Sequence, residues 1–159
     1  MTAPLDCQLI LEPGRLIVGN AGILVTRVVH VKAGSERCFI IVDAAMNDLL
    51  RPALYGASHH VEPVAEPGTA DHQESVEIVG PVCESSDSFA SGQPLPPVKA
   101  GDLLAIRSAG AYGAVMASEY NTRPLVPEVL VNGDRFAVIR PRPTVESILA
   151  LESIPDWLS

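Results

Sequence analysis

The sequence predicts a mainly β domain with short helical pieces at its edges, and three observations carry that reading. Apolar and β-branched residues alternate or cluster in short runs, and turn residues separate the runs. Hydrophobic residues make up 47% of the chain against 19% charged, so apolar burial drives collapse. The 159 residues suffice for one good core and fall short of the ~250 of a complete TIM barrel.

In order along the chain, residues 9–11 form a short apolar run into Glu12-Pro13-Gly14-Arg15. A strand there exposes unpaired edges unless something upstream covers them. Residues 23–32 read as a strand with Ile23, Val25, Val29 and Val31 on one face and Thr26, His30 and Lys32 on the other; a turn at 33–36 leads into its hairpin partner, residues 37–42. Residues 43–55 break the period of two, with Met46, Leu49, Leu50 and Leu54 at helix-like intervals, and Pro52 limits the regularity of any helix. Further strands are expected at 59–64, 76–82, 103–108 and 115–120. Asn132-Gly133 marks a hairpin between 128–131 and 136–139. The polar stretches 66–74 and 85–97 read as loops, and Thr144 caps a closing helix reaching Leu151.

The net charge of −8 and the absence of a basic run argue against a nucleic-acid partner. No stretch approaches the ~20 apolar residues of a membrane span, and no signal core opens the chain, so a cytoplasmic location is expected. Cys7, Cys38 and Cys83 lack ligand or redox spacing and read as free thiols. His59 and His60, adjacent on a strand, point to opposite faces and cannot chelate one metal, and no metal is expected.

Four clusters carry candidate chemistry, each beside a plain structural alternative. Glu12-Pro13-Gly14-Arg15 sets a carboxylate and a guanidinium at a rigid bend where glycine lets backbone approach a ligand; an exposed ion pair on a Pro-Gly turn is the alternative. Arg51 and Tyr55, four apart after the run from Asp43 to Asp48, can together clamp a carboxylate; a solvated arginine beside a packed ring is the alternative. Cys83 and Glu84 supply a thiol that can trade a proton and an acid that can bind an amine, or else a small buried hydrophobe with a neighbour. In Ala109-Gly110-Ala111-Tyr112-Gly113 a phenol stands on a turn too small to hide it, or plugs an ordinary bend.

Taken in this order, the clusters resemble the C-terminal portion of diaminopimelate decarboxylases, among the fold-type III decarboxylases that also act on ornithine and arginine. The resemblance runs from Leu11 to about Leu151. It includes Ala21-Gly22-Ile23-Leu24-Val25-Thr26-Arg27-Val28, Gly101-Asp102-Leu103-Leu104-Ala105-Ile106, Tyr120-Asn121-Thr122-Arg123-Pro124 and Glu128-Val129-Leu130-Val131.

The resemblance implies a β-sandwich or barrel-like C-terminal domain from residue 23 to 159, preceded at 1–22 by the last strand and following helix of a TIM barrel. That barrel would carry the lysine that anchors pyridoxal 5'-phosphate, which neither Lys32 nor Lys99 replaces. By resemblance, Glu12 faces the pyridine nitrogen, Gly14, Arg15 and Tyr112 bind cofactor, and Arg15, Arg51, Tyr55, Glu84 and Tyr112 bind substrate. Cys83 is the implied proton donor, and Cys83 with Glu84 would serve the partner's site in a homodimer. The implied substrate is meso-diaminopimelate, and the chain alone is expected to be inactive without the barrel half. Ala45 and Ser86 replace glycines usual in the family. Another fold-type III decarboxylase and a non-catalytic dimerisation module stay open as alternatives.

Overall fold

The computed structural model describes residues 8–66 and 72–158. Among them, strands β1 (Leu24–Ala33), β2 (Cys38–Val42), β3 (Val61–Pro63), β4 (Glu74–Val79), β5 (Ser88–Leu95) and β6 (Leu103–Ile106) form one sheet in the order β3-β6-β1-β2-β4-β5. All neighbours are antiparallel except β2 and β4, whose parallel pairing forces the intervening chain to cross over. The sheet curls until its edges meet. The Gln93 side-chain amide on β5 donates to the Val61 carbonyl on β3, and the result is a nearly closed barrel.

β1 can serve two neighbours because it is long and bulged. Leu24 to Arg27 pair with β6, the remainder pairs with β2, and the register slips between Val28 and His30. The barrel interior is filled by Val28, Val42, Ile78, Leu95, Leu104 and Ile106, each at most 1% exposed. Burying one such side chain contributes roughly 1.5–3 kcal/mol before the entropy of ordering is charged.

The apolar face of β1 is not uniformly the buried one. Ile23, Val25 and Val29 are about half exposed, whereas Thr26 and Val28 lie at 1%. Thr26 tolerates burial because its hydroxyl donates to Asp43 and accepts from the Ala44 amide. The outer face of Ile23 and Val25 borders a groove shared with a separate hairpin, β7 (Glu128–Asn132) and β8 (Arg135–Arg140). Its turn falls one residue later than the Asn-Gly signal suggested: Asn132 pairs with Arg135, and Gly133 takes φ +62°.

Two further expectations fail. Residues 85–97, read as a loop, contain β5, where pairing with β4 through two register shifts accommodates Gly92 and Pro94 on an edge strand. Residues 115–120, read as a strand, form 3-10 turns at Ala114–Met116 and Tyr120–Thr122, with Val115 83% exposed and thus unable to anchor a sheet. The excursion at 43–55 ends in helix α1 (Arg51–Tyr55), where Pro52 sits in the first turn and its missing N–H costs nothing. The closing helix α2 (Val145–Leu149) is capped by Thr144 Oγ, which accepts from the Ser147 amide.

Residues 8–13, expected as a barrel strand, run without strand pairing, and Leu9, Ile10 and Leu11 are exposed. After the bend at 12–15 the chain makes a turn and a 3-10 segment, Gly19–Ala21. A strand needs a neighbour for its backbone groups, and none of the described strands lies beside this segment. Cys7 and part of the stretch 66–74 lie outside the described residues; Cys38 and Cys83 are free.

Candidate active site

Arg51 opens α1 and Tyr55 closes it, one helical turn apart, so both side chains leave the same face. The Arg51 guanidinium lies 4.8 Å from the centre of the Tyr55 ring and 5.3 Å from that of Tyr112. Arg15 covers the same Tyr112 ring at 5.5 Å. Three of the four clusters singled out in the sequence thus converge: the bend at 12–15, α1 and the turn at 109–113.

Close backbone contact sets this convergence. The Ala109 amide donates to Gly22 and the Gly110 amide to Gly19, pressing the turn at 109–113 flat against residues 19–22. A Cβ on Gly22 would lie 2.5 Å from the Gly110 Cα, and one on Gly110 would strike the Val18 carbonyl. Tyr112 leaves the turn at φ 57°, a left-handed conformation uncommon for a bulky residue, which projects its ring, 42% exposed, between the two arginines. Gly14 keeps the approach open, since a Cβ there would come within 3.0 Å of the Tyr112 hydroxyl. Glu12 is exposed at the start of this bend.

Among the described residues neither Arg15 nor Arg51 pairs with a carboxylate, whereas Arg37, Arg107, Arg123 and Arg140 each do. Arg51 Nε is moreover buried with no acceptor. Leaving a buried donor unsatisfied costs about 1–3 kcal/mol, more when it is charged. A ligand with anionic oxygens would supply the missing acceptors, and a planar guanidinium suits a carboxylate or a phosphate.

The fourth cluster stands on a turn of its own. The buried Asp87 carboxylate accepts the Val82 and Met46 amides, both at 2.7 Å, and Gly80 leaves the room it needs. Burial nevertheless holds the Asp87 carboxyl above its ordinary pKa, with the two amide bonds opposing the shift. Asp48, buried in the excursion that leads into α1, is likewise raised by burial, against the Ala45 amide and Arg123. Cys83 and Glu84 are exposed on this turn. Among the described residues no hydrogen bond, ion pair or ring contact joins them to the arginine cluster; Glu84 instead accepts from the Tyr120 hydroxyl at 2.6 Å. That hydrogen bond raises the Tyr120 phenol above its usual pKa, so it remains a donor at neutral pH.

Single-residue reasoning passed over four groups that hold the site together. Asn47 Nδ2 donates to the Ser118 carbonyl, the Ser118 amide donates to Asn47, and Arg123 Nε donates to Asn47 Oδ1. Asp87 ties Met46 to the Cys83 turn, and Tyr120 reaches Glu84. The available signal was the stretch Tyr120-Asn121-Thr122-Arg123-Pro124, part of the resemblance but with no role implied for its single residues.

A small β barrel that turns uncompensated arginines and phenols outward has the chemistry to receive an anion. Over residues 15–110 the chain matches the family described as pyridoxal-dependent decarboxylase, C-terminal sheet domain, and it belongs to that family. It is 50% identical over 153 residues to a diaminopimelate decarboxylase of Zymomonas mobilis, covering 96% of this chain and 36% of that protein. It is similar to the crystal structure of diaminopimelate decarboxylase from Helicobacter pylori complexed with L-lysine, with a TM-score of 0.83 and 43% identity, over 94% of this chain and 36% of that one. Its likeness to a lysine/ornithine decarboxylase of Vibrio vulnificus complexed with cadaverine is lower: TM-score 0.61 and 25% identity, over 70% of this chain and 30% of that one. The chain spans about a third of the length of the curated relatives it matches.

Proposed function

We propose that this chain is the C-terminal part of a diaminopimelate decarboxylase, which converts meso-2,6-diaminopimelate to L-lysine and carbon dioxide. The observation that carries the reading is the pair of arginines around Tyr112, one with a buried donor lacking an acceptor. Half of all positions shared with a diaminopimelate decarboxylase, against a quarter shared with a lysine/ornithine decarboxylase, supports this substrate over the smaller diamino acids.

The buried, unsatisfied Arg51 Nε and the open approach past Gly14 fit pyridoxal 5'-phosphate and a substrate carboxylate. Glu12, Gly14, Arg15 and Tyr112 would hold the cofactor, with its anchoring lysine supplied by a TIM-barrel half. When bound, it acts as the sink for the electrons released as carbon dioxide leaves. Arg51 and Tyr55 bind the substrate's carboxylate and fix its orientation. Glu84 takes the distal ammonium, and Cys83 delivers a proton to the carbon that lost its carboxylate. A site built for both ends of diaminopimelate rejects analogues lacking one by roughly 10⁴ to 10⁵. Cys83 and Glu84 stand apart from the arginine cluster, which supports a homodimer in which they complete the partner's site. In this reading the β domain starts near residue 23, residues 1–22 close the barrel, and the enzyme works in the cytoplasm.

The test pairs this chain with a separately expressed barrel half of a diaminopimelate decarboxylase and follows carbon dioxide release. Release from meso-diaminopimelate but not from ornithine or arginine is the expected result. Release from ornithine in preference would overturn the substrate.

A further inference from the structure

The Cys83–Glu84 turn and the 118–123 segment belong to one closed circuit of hydrogen bonds. Met46 N donates to Asp87, whose own turn carries Glu84. Glu84 accepts from Tyr120, two residues beyond Ser118. The Asn47 side-chain amide donates to the Ser118 carbonyl and the Ser118 backbone amide donates to the Asn47 carbonyl, and Asn47 follows Met46 in sequence. Arg123 braces the same loop by donating to Asn47 Oδ1 and to the Asp43 carbonyl, and lies 3.8 Å from Asp48.

Within this circuit the Glu84 backbone is already fixed, its amide donating to Val82 and its carbonyl accepting from Asp87. Its exposed side chain has no other hydrogen-bond partner than Tyr120 among the described residues. A glutamate otherwise spreads over several rotamers, and ordering such a chain costs up to about 1.5–2 kcal/mol in entropy. The Tyr120 hydroxyl removes that freedom before any ligand arrives and occupies one carboxylate oxygen, leaving the other as the free acceptor.

The placement of Tyr120 has a structural cost of its own. Asn121 and Thr122 hold φ of 58° and 55°, a conformation that a β-branched threonine adopts only when its surroundings impose it. The Arg123 and Asn47 bonds on one side and the Glu84 bond on the other are what impose it here.

We propose that Tyr120 is a positioning residue that presets the Glu84 carboxylate for an ammonium group and so sets the preference for a substrate with a cationic far end. This rests on the reading that Glu84 binds the distal ammonium of diaminopimelate. Tyr120 acts through Glu84 and touches no reacting atom.

The experiment uses the enzyme assembled from this chain and its barrel half, with meso-diaminopimelate as substrate, and compares Tyr120→Phe, Glu84→Gln and the double variant. Tyr120→Phe keeps the ring and loses only the donor. The expected result is a KM raised about tenfold with a smaller fall in kcat, an unchanged melting midpoint, and a double variant no worse than Glu84→Gln alone. If Glu84→Gln leaves KM unchanged, the reading of Glu84 fails and takes the proposal with it. If Glu84→Gln raises KM but Tyr120→Phe does not, or if the two changes add independently, the positioning role is overturned while the reading of Glu84 stands.

Discussion

Arg51 lies with its guanidinium 5.3 Å from the centre of the Tyr112 ring, although the two residues come from a helix and a turn on separate stretches of chain. The contact compensates part of the arginine's charge, at roughly 0.5–1 kcal/mol for an exposed cation–π pair, and leaves Nε without an acceptor. A group held this way is free to take the oxygens of a ligand.

That imbalance makes the first prediction. Arg51→Met keeps the length of the side chain and removes the buried orphan donor, so the folded chain should be as stable as before or more stable by about 1 kcal/mol. The assembled enzyme should at the same time lose roughly 10- to 100-fold in kcat/KM on meso-diaminopimelate, the value of a charge-assisted hydrogen bond. Arg51→Lys should fall between, because an ammonium cannot reproduce the planar fork. Urea denaturation and steady-state kinetics on the same preparations check both halves; a clear loss of stability in Arg51→Met would contradict the account.

The second prediction concerns the two glycines that set Tyr112. Gly110→Ala places a methyl against the Val18 carbonyl and 2.7 Å from the Gly22 amide nitrogen, and backbone on both sides must move. Overpacking of this kind costs about 1–3 kcal/mol. The turn that carries Tyr112 should shift with it, lowering activity beyond the loss of stability. Gly56→Ala is the contrast: open space surrounds that position, but φ of +62° leaves the strain of a left-handed residue, about 1–2 kcal/mol, with little effect on Tyr112. Denaturation midpoints set beside activity for the two variants separate displacement of the site from simple destabilisation.

How far these features could be read in advance depended on whether they are local. The hairpin of β1 and β2, α1 with Arg51 and Tyr55 on one face, and the Thr144 cap follow from side-chain period and turn chemistry within a few residues. β5 escaped because Ser, Gly and Pro make its local pattern loop-like, and only the backbone of β4 makes it a strand. Which face of β1 is buried is not legible in hydropathy, because burying Thr26 depends on Asp43 and Ala44 across the hairpin. The convergence of Arg15, Arg51 and Tyr112 came from the order of motifs. The Asn47, Arg123 and Tyr120 circuit is made of bonds between distant segments and has no signature at any single position.

The third prediction is a pH dependence carried by Asp48. Its carboxyl is only 5% exposed, and burial raises its pKa above the ordinary 3.8 in the folded chain, with Asp43 adding to the rise and the Ala45 amide, Arg123 and Arg142 opposing it. Asp87 is shifted in the same direction for the same leading reason. Between the ordinary value and the raised one, the folded chain retains protons that the unfolded chain has released, so stability falls as pH rises. The contribution of these groups is therefore complete below the unfolded pKa and is lost as pH climbs through the folded one, opposite to a carboxylate held by a strong ion pair. Asp48→Asn keeps an oxygen for the Ala45 amide and cannot ionise, so its stability should vary less with pH across this interval. Urea denaturation from about pH 4 to 7 measures the slope directly. Equal slopes in the two proteins, or a steeper one in the variant, would show that burial does not govern this carboxylate.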